Sequence, residues 1–155
     1  MLQYSCLSFS ALSGAELYEV MAVRQTIFAV EQDCAYLDAD GKDQEAWHAL
    51  GRSEQGEIMT YARLLPKGVA YEEYASIGRV LSMKSVRGSG EGRRLMAFSM
   101  TQCQKLCPAV PIKISAQAYL LDFYSSFGFS SVGEPYLEDG IPHEAMVWRS
   151  HALVK

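Results

Sequence analysis

The segment Val86-Arg87-Gly88-Ser89-Gly90-Glu91-Gly92-Arg93 constrains this chain most, because three alternating glycines separate two different hydrophobic periodicities. Before it, Ile77 to Met83 reads as an apolar strand; after it, Leu95 onward reads as a helix. Glycine permits positive φ and lets a ligand approach the backbone with no Cβ in the way. A loop of this kind at a helix start aims unpaired N–H groups and the positive end of the helix dipole at one point. The result is a cradle for an anion, and phosphate is the usual occupant. The same residues also suit a plain turn that joins strand to helix.

Spacing narrows the type of cradle. A dinucleotide fingerprint, G-x-G-x-x-G, would need its third glycine where Arg93 stands. A P-loop is excluded as well: Gly41-Lys42 is followed by Asp43, and Tyr36 occupies the place of the first glycine. What remains is R-x-x-G-x-G, on Arg87, Gly90 and Gly92.

With 155 residues the chain is expected to form one domain, 1–155, large enough to bury a core without metals or disulfides. A formal net charge of −4 argues against a broad nucleic-acid surface. No apolar run approaches a membrane span, and the amino terminus lacks the basic start of a leader, so the expected compartment is the cytoplasm. Cys103 and Cys107 stand four apart on a predicted helix, but no histidine or second pair completes a metal site; buried thiols fit better. No metal is therefore expected.

Strands are predicted over Leu2–Phe9, Ala46–Arg52, Glu57–Leu65, Tyr74–Met83, Pro111–Ala116, Ser130–Leu137 and His143–Arg149. Helices are predicted over Ser13–Gln32, Gly90–Leu106 and Tyr119–Phe127. The first opens with Ser13 and Glu16 at capping-box spacing and carries Leu17, Met21, Ile27 and Phe28 on one face. The order β-α-β-β-β-α-β-α-β-β makes an α/β layer with the glycine loop near its centre.

A second segment, Ala116-Gln117-Ala118-Tyr119 through Phe123-Tyr124-Ser125-Ser126-Phe127-Gly128-Phe129, ends a strand, forms an aromatic helix and closes on a glycine suited to a helix C′ position. Taken with R-x-x-G-x-G upstream, its F-Y-x-x-x-G-F pattern resembles the GNAT superfamily of acetyl-coenzyme A-dependent N-acetyltransferases. Further segments are similar to the ElaA-type branch: Val30-Glu31-Gln32-Asp33-Cys34-Ala35-Tyr36, Tyr61-Ala62-Arg63-Leu64, Ile77-Gly78-Arg79-Val80 and Glu138-Asp139-Gly140-Ile141-Pro142-His143. The resemblance spans nearly the whole chain. It implies a single-domain GNAT fold, a central mixed, mostly antiparallel twisted sheet of about seven strands flanked by helices.

The resemblance also implies site roles. Main-chain N–H groups of Arg87, Gly88, Ser89, Gly90, Glu91 and Gly92 take the pyrophosphate of the acetyl-coenzyme A co-substrate, and Arg93 or Lys84 the remaining phosphate. Val80, Leu81 and Ser82 pair with pantetheine, and Gln117 stands where many relatives use asparagine. Tyr124 matches the general acid for the leaving thiolate; otherwise its hydroxyl closes a hydrogen bond at the end of a core helix. One departure is Glu91, at a position usually apolar in GNAT loops. Pointing inward it opposes a phosphate; pointing outward it complements the helix dipole.

The acceptor is a small-molecule or peptide amine, which must lose a proton before or during attack. His143 is the candidate base, on the ordinary titration range of histidine. Glu31 is a candidate base or an anchor for the amine. Arg63 and Arg79, each in an apolar strand, either pair with Glu31, Asp38 or Asp40, or line the acceptor pocket and read an anionic group. Exposed C-terminal strands are compatible with a homodimer. A non-catalytic acyl-coenzyme A sensor or partner-binding module is the alternative to an enzyme, with Glu91 its main support.

Overall fold

The computed structural model describes residues 1–150. Seven strands form in the predicted order: β1 (Gln3–Ser8), β2 (Trp47–Arg52), β3 (Ile58–Leu65), β4 (Ser76–Ser82), β5 (Ile112–Gln117), β6 (Ser130–Glu138) and β7 (Ile141–Trp148). Helix α1 (Gly14–Gln25) follows β1, α2 (Glu91–Leu106) follows β4, and α3 (Leu121–Ser125) follows β5.

The strands build two antiparallel sheets, one of order β1-β2-β3-β4 and one of order β5-β7-β6. The single mixed sheet expected from the sequence is thus divided. A parallel bridge between Ala75 and Ile112 joins the halves, with the Lys113 N–H donating to the Ala75 carbonyl at 2.9 Å. Beyond it β4 and β5 part. The physical reason lies in β4. Gly78 pairs with Arg63 and Leu81 with Tyr61, so Arg79 and Val80 together oppose Ala62. Such a bulge bends its strand, and Arg79 adopts φ +50° to make it.

Helix α2 buries Leu95, Met96, Ser99 and Cys103, positions one helical face apart. They pack on Ala49, Ala62, Leu64 and Ile77 of the first sheet and on Ile112, Ile114 and Met146 of the second. Helix α1 and the turn that continues it cover the opposite face of the first sheet, where Val20 and Ile27 meet Leu50, Tyr61 and Leu81. Central strand β3 is therefore buried on both faces and reads as a near-continuous apolar run.

The capping box is present: Ser13 Oγ accepts from the Glu16 N–H and Glu16 Oε1 from the Ser13 N–H, each at 3.0 Å. The continuous helix expected to Gln32 instead widens at Thr26 into a π-helical turn, Thr26–Glu31. Thr26 Oγ1 donates back to the Ala22 carbonyl at 2.9 Å, competing with the regular ladder at that point. The buried stripe also differs from the expected one. It runs through Val20, Arg24 and Ile27, while Leu17, Met21 and Phe28 are half-buried.

Candidate active site

A cleft of about 660 Å³ opens where β4 and β5 diverge. Its first wall holds Val80, Leu81 and Ser82; Gln117 and Tyr124 face them from the second. Past the bulge the outer edge of β4 carries no strand among the described residues, so its backbone groups, apart from the Ser82 carbonyl that Arg87 takes, have no strand partner.

At one end lies the glycine loop. Gly88 and Gly90 have φ of +80° and +87°, a region costly for side-chain-bearing residues. Gly90 is the N-cap of α2, and Arg94 supplies the first N–H that bonds back, to the Gly90 carbonyl at 3.2 Å. The N–H groups of Glu91, Gly92 and Arg93 have no helical partner, as in any first turn. A Cβ at Gly92 would stand 3.7 Å from Ser82 Oγ, ordinary contact. The protein itself does not crowd Gly92, which lines the cleft.

Charged residues near the loop divide by orientation. Arg87 Nε donates to the Ser82 carbonyl at 3.0 Å, and Arg87 Nη1 lies 2.5 Å from Glu31 Oε1, tying the loop to the π-helical turn. Hydrogen bonding from Arg87 holds the Glu31 carboxyl below its ordinary range. Arg93 turns to α3 instead, bonding Ser126 Oγ at 2.9 Å with its guanidinium 4.6 Å over Phe127. Glu91 neither faces the loop nor projects to solvent. It is 8 % exposed, and its carboxylate accepts from the Tyr4 hydroxyl at 2.7 Å and from Arg94 Nη1 at 3.1 Å.

Tyr124 lines the middle of the cleft. Phe123 and Phe129 pack edge-on against its ring, and its hydroxyl makes no hydrogen bond to a described residue. Burial pushes the phenol up to about 12, so it remains protonated across the neutral range.

At the far end His143 is 5 % exposed and stacks on Tyr136 with ring centroids 6.1 Å apart. Its Nδ1 lies 2.7 Å from the Ile141 carbonyl. A carbonyl only accepts, so Nδ1 carries a proton and Nε2 is the nitrogen turned toward the β6–β7 hairpin. Nε2 lies 3.4 Å from Glu138 Oε2. Ser115 Oγ touches both Glu138 oxygens at 3.5 Å and bonds the Tyr136 hydroxyl. The Cys34 thiol meets the Asp139 carbonyl at 3.9 Å, so the loop after the π-helical turn and the β6–β7 hairpin close this end together.

Beneath it lies an ion network. Arg63 binds both Asp40 oxygens at 2.8 Å and Asp43 at 3.0 Å. Arg79 binds Asp38 at 2.7 Å and stacks over Tyr36. Fully buried Arg24 binds Asp38 at 2.8 Å and Asp43 at 2.6 Å. Three guanidinium groups thus meet three carboxylates, as buried charges require. The pairing expected for Arg63 and Arg79 is observed with Asp38, Asp40 and Asp43; Glu31 is not in the network. His48 completes it, burial lowering its pKa, with Nδ1 accepting from the Tyr61 hydroxyl at 2.7 Å.

The fold therefore brings Tyr124, His143, Glu31, Arg63, Arg79 and Gln117 to the same cleft as Val80–Ser82, Arg87 and Gly92. Gly88, Ser89, Gly90, Glu91 and Arg93 lie outside its walls. Arg24, Tyr4, Ser115 and the role of Glu138 escaped the sequence reading. Only Arg24 left a local trace, a charge four residues from both Val20 and Phe28 on the stripe facing the sheet. Among the described residues no His, Cys, Asp and Glu cluster is placed to hold a metal ion, and no helix is long and apolar enough to cross a membrane.

A glycine loop at a helix start, opening into a cleft between two splayed strands with a tyrosine beside it, defines an acyl-coenzyme A-dependent acyltransferase of the GNAT type. The profile of the acetyltransferase (GNAT) domain matches residues 19–150, and the chain belongs to that family. Protein ElaA of Escherichia coli is 40% identical over 94% of this chain and 95% of its own length; a UPF0039 protein of Synechocystis is 43% identical over 96% of each. The crystal structure of Escherichia coli ElaA superposes with a TM-score of 0.89, covering 96% of this chain and all of that one. An acyl-CoA N-acyltransferase from Pseudomonas aeruginosa, 37% identical, gives 0.90 over 96% of this chain and 99% of its own.

Proposed function

We propose that this chain transfers an acetyl group from acetyl-coenzyme A to a primary amine by direct attack through a tetrahedral intermediate. One observation carries the reading: a single cleft is lined by Arg87 and Gly92 of the glycine loop, by Val80, Leu81 and Ser82 of β4, and by Tyr124 and His143. Main-chain N–H groups between Arg87 and Gly92, with the dipole of α2 behind them, take the pyrophosphate. The backbone of Val80, Leu81 and Ser82 pairs with the pantetheine arm, opposite Gln117.

The acceptor, a small-molecule or peptide amine, arrives largely as an ammonium ion. His143 Nε2 takes the proton, and the neighbouring Glu138 carboxylate stabilises the imidazolium that forms. The free amine attacks the thioester carbonyl, the attacking nitrogen sheds its second proton, and the intermediate collapses by breaking the C–S bond. Tyr124 donates its hydrogen bond, and finally its proton, to the departing sulfur. A phenol at about 12 is a weaker acid than a thiol at about 8.5. Its main contribution is therefore the hydrogen bond in the transition state, and the proton shed by the attacking nitrogen returns the phenolate to the phenol. Glu31 fits the base role poorly, because Arg87 already holds its carboxylate and weakens it as a proton acceptor.

The alternative, a non-catalytic acyl-coenzyme A sensor, drew on a carboxylate facing the phosphates. With Glu91 bonded to Tyr4 that support is gone. Isothermal titration of the chain with acetyl-coenzyme A tests the reading, with ATP and NAD as controls. Selective binding of about −8 kcal/mol is expected; heats no larger than those of the controls would overturn it.

A further inference from the structure

We infer that Tyr4 is a positioning residue for coenzyme binding: it holds the Glu91 carboxylate beneath α2, away from the place where the pyrophosphate sits. The inference rests on the coenzyme reading above and concerns a residue on β1, 87 positions before Glu91 in the sequence.

Glu91 is the first residue of α2 and stands between Gly90 and Gly92. Its own N–H belongs to the cradle, so a freely rotating carboxylate there would share one helix terminus with a bound pyrophosphate. Two anions a few ångströms apart repel, and both would draw on the same dipole. The structure removes the conflict by burial. The Tyr4 hydroxyl lies 2.7 Å from Glu91 Oε2 and 3.2 Å from the Glu91 carbonyl, and Arg94 holds Oε1. Tyr4 itself is fixed by Phe98 of α2, ring centroids 5.4 Å apart. Thr60 on β3 also faces the phenol; burial and Glu91 together push its pKa up to about 12, so it stays a donor. Without that donor the carboxylate keeps only Arg94, whose side chain is 44% exposed. Rotation out to water, beside the phosphate site, is then its least costly course.

The test is titration of the full chain with acetyl-coenzyme A in four forms: wild type, Tyr4→Phe, Glu91→Leu and the double variant. Tyr4→Phe is expected to weaken binding about tenfold. On the Glu91→Leu background the same change is expected to alter affinity by less than about twofold, because no carboxylate remains to be released. Equal weakening on both backgrounds assigns Tyr4 to packing alone and overturns the inference; so does Tyr4→Phe binding like wild type. If Tyr4→Phe fails to fold by circular dichroism, Glu91→Leu decides. Affinity within about twofold of wild type supports a carboxylate already shielded, and a gain of about tenfold overturns it. Absence of binding by the wild type overturns the coenzyme reading and this inference with it; binding with an indifferent Tyr4→Phe overturns this inference alone.

Discussion

Tyr124 and His143 are assigned opposite halves of one proton inventory, so the variant of each tests one half. Tyr124→Phe keeps the ring packed against Phe129 and removes only the donor. Turnover is expected to fall about a hundredfold with coenzyme affinity within about twofold; unchanged turnover in an acetyl-transfer assay defeats the assignment. His143→Gln should lower turnover about a hundredfold with coenzyme affinity within about twofold. Unchanged turnover in the same acetyl-transfer assay would exclude His143 as the base. At this scale the tyrosine was legible, since F-Y-x-x-x-G-F lies within one short segment. Glu138 as partner of His143 was not. The hairpin register, Glu138 opposite Ile141 and Tyr136 opposite His143, makes the pair, and pairing is not written in either residue.

Among the elements, α1 shows how a local rule and a distant one share a helix. Its start follows from Ser13 and Glu16, which satisfy each other within four residues. Its buried Arg24 has no such local explanation; Asp38 and Asp43 reach it from the loop beyond the π-helical turn. The network should make stability acid-sensitive. Burial alone would raise the Asp40 and Asp43 carboxyls, yet the hydrogen bonds from Arg63 to Asp40, and from Arg24 and Arg63 to Asp43, outweigh it and hold both below the ordinary range. A carboxyl depressed by folding contributes stability that is whole above the unfolded value, near pH 4, and is lost as pH falls below it. Melting temperature is thus expected to hold down to about pH 5 and to drop steeply below about pH 4. Asp40→Asn should be less stable at neutral pH and flatter below about pH 4. An equally steep acid limb in Asp40→Asn would remove the network as its source.

For the molecule as a whole, the consequential feature is the gap between two sheets that touch at Ala75 and Ile112. A ligand spanning it adds contacts on both sides, and one that binds only the folded state stabilises by mass action. Acetyl-coenzyme A at about a hundred times its Kd is expected to add about 2.7 kcal/mol, raising Tm by about 5–10 °C. One cooperative transition, with and without ligand, is expected if residues 1–155 form a single domain. Two separated transitions in calorimetry would divide it.

By itself the sequence determined the order of strands and helices, the capping box, the glycine loop at the head of α2 and the family resemblance. Each depends on chemistry acting within a few residues: what glycine permits, how apolar side chains alternate, which groups cap a helix. Tertiary structure alone decided that the sheet divides, that Glu91 turns under α2 to Tyr4, that Arg63 and Arg79 are held by aspartates, and that His143 meets Glu138. These outcomes hang on the bulge at Arg79 and on contacts between segments remote in sequence. Burial and pairing set them, and neither acts until the chain has packed.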